Sequence, residues 1–311
     1  MREVRDYVGW RAEVSRGDGV EVALAKLVSR EGDTGRADGS GCETDVAIIG
    51  YGKLGGIELG YTSDLDLVFV HKADPELATD GEKPIDNAVF YTRLGQRIVH
   101  ILNTQTPSGQ LYEVDMRLRP SGNSGLLVST LQAFEKYQRE DAWTWEHQAL
   151  VRSRVVAGDP NLAADFDKVR DQVLRQPRDM QSLATEVQQM REKMRKHLGR
   201  GTKDGKFSLK QGTGGIVDIE FMVQYAVLLW SYEAPSLCQW TDNIRLLESL
   251  HNLGLLDADH SKQLTDIYQL YRVRGHRLAL QQSQSSLIVA ALFDSERKQI
   301  QSLWNYFFNE G

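Results

Sequence analysis

VAIIGYGKLGGIELGYTSDLDLVFV, residues 46–70, decides the reading of the fold, because its parts are spaced as a strand, a glycine turn and a second strand. Val46 to Ile49 is a short β-branched run that stops at Gly50, as a buried strand does at a tight turn. Gly50, Gly52, Gly55 and Gly56 let the backbone come close to a ligand with its N–H groups turned outward, and Lys53 adds positive charge. Phosphate is the guest that such a turn suits. Beyond a polar connection ending at Ser63, the chain reads Asp64-Leu65-Asp66-Leu67-Val68-Phe69-Val70, and strand alternation places Asp64 and Asp66 on one face. The two carboxylates then stand roughly 7 Å apart, each disfavouring the other's ionisation unless a cation lies between them. Oxygen ligands suit Mg²⁺ or Mn²⁺. A phosphate turn beside a metal-binding Asp-x-Asp strand implies nucleotide chemistry.

The same glycines also spell Gly50-x-Gly52-x-x-Gly55, the dinucleotide fingerprint. That fold needs a full crossover helix after the third glycine and an acidic residue at the far end of the second strand, an offset Asp74 satisfies. Only residues 56–63 separate the glycines from the next strand, however, and Gly60, Tyr61 and Thr62 shorten any helix there to about two turns. The carboxylates, moreover, open the second strand, so the phosphate-and-metal reading is preferred.

Upstream, Val20 to Val28 has helical spacing, and EGDTGRADGSG after it has the composition of a mobile loop. Downstream, Asp80 to Pro84 reads as a turn and Ile85 to Leu102 as a packing helix carrying Val89, Phe90, Leu94, Ile98, Val99 and Leu102. Gly109 closes a turn before Leu111 to Leu118, whose alternation predicts a strand with Glu113, Asp115, Arg117 and Arg119 on one face, ended by Pro120. Leu131 to Tyr137 is amphipathic, and the segment from Trp143 to Ala157 holds tryptophans expected to fill a core or domain seam. Arg152 and Arg154 are long enough to reach a phosphate.

From Asp159 onward helical spacing takes over, which places a domain boundary near Gly158. Leu183 to Leu198 ends in a basic turn before Gly199, GRGTKDGKF reads as an exposed loop, and Gly214-Gly215 opens a helix to about Trp230. Inside that helix Asp218-Ile219-Glu220 repeats the acid-x-acid spacing. Helical residues two apart point about 200° apart, so these two acids cannot share a metal. Either they complement the helix dipole or, among apolar neighbours, a carboxylate finds a buried partner or a place in the site. Asn243 to Leu250, Asp257 to Gln281 and Ala290 to Phe308 complete the helical part.

At 311 residues there is room for two domains, and a net charge of −6 argues against nucleic-acid wrapping by bulk charge. No signal-like or membrane-spanning apolar run is present, so a cytoplasmic protein with no membrane partner is expected. Cys42 and Cys238 carry no metal or disulfide spacing.

GYGKLGGIELGYTSDLDLVFV, YEVDMRLRPSGNSGLLV from Tyr112, AWTWEHQALVRSRVVAGDP from Ala142 and GGIVDIEF from Gly214 together resemble the nucleotidyltransferase superfamily. They are most similar to the bacterial glutamine synthetase adenylyltransferases, covering about Val46 to the C-terminus. Such enzymes hold two catalytic halves, one attaching AMP from ATP to a glutamine synthetase tyrosine and one removing it by phosphorolysis. Tyr51-Gly52-Lys53-Leu54-Gly55-Gly56 and Trp143-Thr144-Trp145-Glu146-His147-Gln148-Ala149-Leu150 resemble the attaching half. Whole enzymes of this kind are far longer, so the chain reads as one half or a fragment.

The resemblance implies an α+β fold. A nucleotidyltransferase domain of the polymerase-beta type, with a small mixed sheet, spans 45–158; an all-helical bundle spans 159–311, and an N-terminal helix and flexible loop span 1–44. It also implies that Asp115 joins Asp64 and Asp66 as catalytic and metal-binding carboxylates. The glycines, Lys53, Ser63, Arg117 and Arg119 would bind nucleotide, while Glu113, Asp218 and Glu220 would support the site or a domain seam. Implied with these are ATP as substrate, glutamine synthetase as protein substrate, and glutamine and a PII-type signal protein as regulators. The alternatives are the reverse phosphorolytic reaction and a noncatalytic regulatory module; the three acids argue against the latter.

Overall fold

The structure is a computed structural model describing residues 34–35, 41–42, 45–61, 63–104, 113–198, 205–281 and 287–310. The helix expected over Val20 to Val28 and the turn at Gly109 lie outside the described residues. The chain forms two compact units: Met1–Ala142 with Arg152–Val173, and Trp143–Val151 with Leu174–Gly311.

In the first unit β1 (Thr34–Gly35) and β2 (Gly41–Cys42) pair antiparallel, so part of the expected loop is a strand pair. The main sheet is built on β3 (Val46–Gly50), followed by the one-turn helix α1 (Gly52–Gly55) and β4 (Leu65–His71). β3 and β4 are antiparallel, from Val46↔His71 to Gly50↔Leu67. That pairing removes the dinucleotide reading, which requires parallel strands joined by a crossover helix. Helix α2 (Asn87–Leu102) lays Phe90, Tyr91, Leu94 and Ile98 on Val46, Ile48, Leu67 and Phe69 of the sheet. The far edge of β4 is lined by two parallel strands, β5 (Val114–Asp115) near its start and β6 (Val128–Thr130) near its end.

The expected strand over Leu111 to Leu118 is therefore cut short. Asp115 Oδ1 accepts the Arg117 N–H at 2.9 Å, and Arg119 Nη1 donates to the Met116 carbonyl at 2.7 Å. These local bonds compete with a ladder and turn the chain after Asp115. Helix α3 (Leu131–Glu140) starts at Thr130, whose hydroxyl accepts the Ala133 N–H at 3.0 Å.

Helix α4 (Thr144–Val151) belongs to the second unit, while β7 (Arg154–Gly158) pairs antiparallel with β3 and helix α5 (Pro160–Leu174) packs Phe166 on Phe134 of α3. In place of one boundary near Gly158, the chain thus crosses between units three times. The reason is pairing: β7 takes the open edge of β3, so it stays with the sheet.

The second unit adds α6 (Met180–Leu198), β8 (Lys206–Ser208), α7 (Ile216–Trp230), α8 (Asn243–Asn252), α9 (Ala258–Leu280), β9 (Leu287–Val289) and α10 (Asp294–Asn305). Helix α7 is apolar almost all round and is packed by α4, α6, α8, α9 and α10. The unit is not all-helical as expected: β8 and β9 pair antiparallel, turning Lys206 and Phe207 of the predicted loop into strand. Trp143, expected in a core or seam, is 71% exposed. Its N–H donates to Glu146 Oε2 at 2.9 Å, half of a capping box at the start of α4. No helix among the described residues is long and apolar enough to cross a membrane.

Candidate active site

The turn between β3 and β4 is closed by its own backbone. Tyr51 N–H donates to the Asp66 carbonyl at 2.9 Å, Gly55 N–H to Tyr51 at 3.0 Å and Gly56 N–H to Gly52 at 2.9 Å. Ile57 N–H then donates to Leu54 at 3.2 Å and Glu58 N–H to Lys53 at 2.7 Å, the paired bonds of a Schellman cap. Gly52 has φ +56°, and a Cβ there would stand 2.6 Å from Asp66 Oδ2. Glycine is thus required twice over, by the left-handed backbone and by the carboxylate lying against it. At Gly55 the crowding comes from the protein itself, since a Cβ would lie 2.0 Å from the Arg152 carbonyl oxygen on the approach to β7. The glycine at position 55 is therefore accounted for by the protein's own packing.

The strand acids lie toward one end of the sheet without closing into one cluster. Asp66 is half-buried on β4, Asp64 is exposed one residue before that strand, and Asp66 is in register with Asp115 across the β4–β5 pair. Asp115 accepts Arg117 Nε at 2.8 and 3.0 Å and also its Nη2. The Arg117 hydrogen bonds hold the Asp115 carboxyl below the usual carboxylate range. Asp115, and through space Asp66 and Asp64, raise the Arg117 guanidinium in turn. One arginine thus sits in the field of all three acids.

Among the described residues no three His, Cys, Asp or Glu side chains are gathered as a metal nest, and Asp115 is turned onto Arg117. The donor chemistry nevertheless fits a hard divalent cation: only carboxylate oxygens, on an open strand end beside a glycine turn.

The other candidates divide sharply. Arg119 is spent on the loop, donating to the carbonyls of Met116 at 2.7 Å and of Asn123 and Gly125 at 3.4 Å. Ser63 is buried and accepts the Gly60 N–H at 2.9 Å, closing the connection before β4. Glu113 is exposed and its carbonyl accepts the Leu65 N–H at 2.8 Å.

In the second unit Asp218 is 1% exposed, with Oδ1 on Arg191 Nε at 2.5 Å and Oδ2 on Arg195 Nη2 at 2.9 Å and the Gly214 N–H at 2.7 Å. Glu220 accepts the Tyr268 hydroxyl at 3.4 Å. The pair does not act as a second metal site, because helical geometry separates the acids and Asp218 is fully engaged.

Sequence reasoning missed Glu58, which pairs with Arg152 in the first unit at 2.5 Å. Arg154 donates to the Gly55 and Leu54 carbonyls at 3.2 and 3.4 Å. The Arg-x-Arg spacing was visible, but its partners across about a hundred residues were not.

A family model described as glutamate-ammonia ligase adenylyltransferase matches residues 1–169, and one described as GlnD PII-uridylyltransferase matches residues 188–306. The bifunctional glutamine synthetase adenylyltransferase/adenylyl-removing enzymes of Pseudomonas aeruginosa and Pseudomonas putida are each 52% identical over 315 residues, which cover 98% of this chain and 32% of theirs. That of Hahella chejuensis is 51% identical over 316 residues, covering 100% of this chain and 32% of its own. The chain thus spans about a third of the length of the curated relatives it matches. The first of these models takes in the glycine turn, the Asp-x-Asp strand and β7, and by that match the chain belongs to the glutamate-ammonia ligase adenylyltransferase family.

Proposed function

We propose that this chain transfers AMP from ATP to a tyrosine hydroxyl of glutamine synthetase, releasing pyrophosphate, on a nucleotidyltransferase domain of the polymerase-beta type. The observation that carries this reading is the packing of the Asp66 carboxylate against the left-handed Gly52 turn, in register with Asp115. Asp64, Asp66 and Asp115 would hold Mg²⁺ or Mn²⁺. When bound, that metal neutralises charge on the triphosphate and at the attacking oxygen.

The chain's own residues do the rest. The glycine turn and Lys53 bind the departing pyrophosphate, and the exposed guanidinium of Arg117, beside Asp115, meets charge at the α-phosphate. Arg119 stays with its loop carbonyls and shapes the segment that presents Asp115. A tyrosine hydroxyl has a pKa of about 10 and must lose its proton. Asp115 as base, or coordination of the hydroxyl to the metal, would assist that loss.

The second unit would receive the protein substrate. Its likeness to a PII-uridylyltransferase model favours a PII-type signal protein as regulator, with glutamine as a second signal, in the cytoplasm. The test is mass analysis of unmodified glutamine synthetase after incubation with this chain, Mg²⁺ and ATP labelled at the α-phosphate. One labelled AMP on a tyrosine, with pyrophosphate released, is expected. ADP release from adenylylated synthetase and phosphate, with no attachment, would reverse the direction assigned.

A further inference from the structure

The glycine turn ends in an unusual way. Its Schellman cap needs a left-handed residue, a position glycine normally fills, yet it is occupied by Ile57 at φ +56°. A β-branched residue is strained there, and the Ile57 side chain, 58% exposed, gains little from burial. Something else must hold the backbone in place.

The neighbouring residue supplies it. Glu58 is 7% exposed and Arg152 3%, and Glu58 Oε2 accepts Arg152 Nη2 at 2.5 Å. Arg152 lies along the turn, since a Cβ on Gly56 would stand 2.6 Å from its Nη2. Two residues on, Arg154 donates to the Leu54 and Gly55 carbonyls, the last of the helical turn. A buried ion pair adds little net stability but fixes a conformation, because each partner is costly to leave alone.

Resting on the nucleotide reading above, we propose that Glu58 and Arg152 are positioning residues, whose buried pair holds the glycine turn, against the strain at Ile57, in the form that receives the triphosphate. Neither touches nucleotide. They act through the backbone of residues 52–58, and the two arginines that the sequence shows as long enough to reach a phosphate serve the turn instead.

The test is calorimetric titration of the full chain with Mg²⁺ and α,β-methylene ATP, alongside thermal melting. Glu58→Gln and Arg152→Lys are each expected to weaken binding about tenfold or more, as loss of an orienting partner does. Ile57→Gly is expected to raise Tm, and in the double variant with Glu58→Gln to recover most of the lost affinity, because glycine keeps the cap without the pair. Unchanged affinity in both single variants, even with a lower Tm, would overturn the inference. If Glu58→Gln does not fold, Arg152→Lys and Ile57→Gly still decide: an Ile57→Gly protein that melts below the unaltered chain would overturn it too. Failure of the unaltered chain to bind the analogue would instead overturn the nucleotide reading, and this inference with it.

Discussion

Two acid-x-acid stretches, Asp64-Leu65-Asp66 in the first unit and Asp218-Ile219-Glu220 in the second, have the same spacing and opposite surroundings. On the strand, Asp66 keeps a half-exposed carboxylate against Gly52, and the nearby guanidinium of Arg117 is itself exposed. On helix α7, Asp218 is buried and its two oxygens are taken up by Arg191, Arg195 and the Gly214 N–H. The strand acids lie at an open strand end and reach the surface; the helix acid is enclosed among its cations. What decides an acid's use is the periodicity of the element that carries it and the cations already within reach, not the motif.

The sharpest way to break this comparison is to neutralise one acid from each stretch. Asp66→Asn keeps the shape and removes the charge facing Gly52. Transfer is expected to fall about a thousandfold, as for loss of a key electrostatic group. Tm should stay near that of the unaltered chain; an active Asp66→Asn protein would end the catalytic assignment. Asp218→Asn should do the reverse. It leaves Arg191, 0% exposed, without its carboxylate, and is expected to destabilise by about 3 kcal/mol in chemical denaturation while turnover per folded molecule holds.

Acid sensitivity separates the two units further, because the first carries a buried histidine. His71, stacked on Tyr91 at 4.1 Å, has its pKa lowered by burial from 6.5 to about 4. The unfolded chain then binds a proton that the folded chain refuses. Stability is therefore full above pH 6.5, falls as pH drops from 6.5 to about 4, and flattens below, a loss of up to about 3 kcal/mol. His71→Phe keeps the ring stack and should flatten that slope; an unaltered slope in denaturation against pH would place the acid sensitivity elsewhere.

The mildest test is Gly52→Ala. A left-handed alanine costs about 1–2 kcal/mol, and its Cβ pushes on Asp66 Oδ2, so a modest loss of Tm should accompany a larger loss of transfer. Loss of Tm alone would mean that the Asp66 contact carries no chemistry.

Local pattern made the β3–turn–β4 core, α2 and α7 legible, because each has a clean period and punctuating glycines. The one-turn helix fell on the glycines, not after them, since backbone bonds from Tyr51 to Glu58 close it there. Alternation over Leu111 to Leu118 overstated β5, because arginine-to-backbone bonds, which leave no periodic trace, turned the chain at Asp115. The pairing of β8 with β9 joins residues some eighty apart and had no local signal. Of the candidate site, the position of Asp64 and Asp66 at the start of a strand was legible, whereas Asp115 came with the resemblance. Glu58 and the cap at Ile57 were not legible: one depends on a partner far along the chain, the other on a backbone angle that an isoleucine in the sequence argues against.

The most direct single measurement is the mass of glutamine synthetase after reaction with ATP and Mg²⁺ in the presence of equal amounts of folded unaltered chain, Asp66→Asn or Asp218→Asn. The account predicts one added AMP with the unaltered and Asp218→Asn proteins and none with Asp66→Asn. AMP added by Asp66→Asn, or lost only with Asp218→Asn, would contradict it.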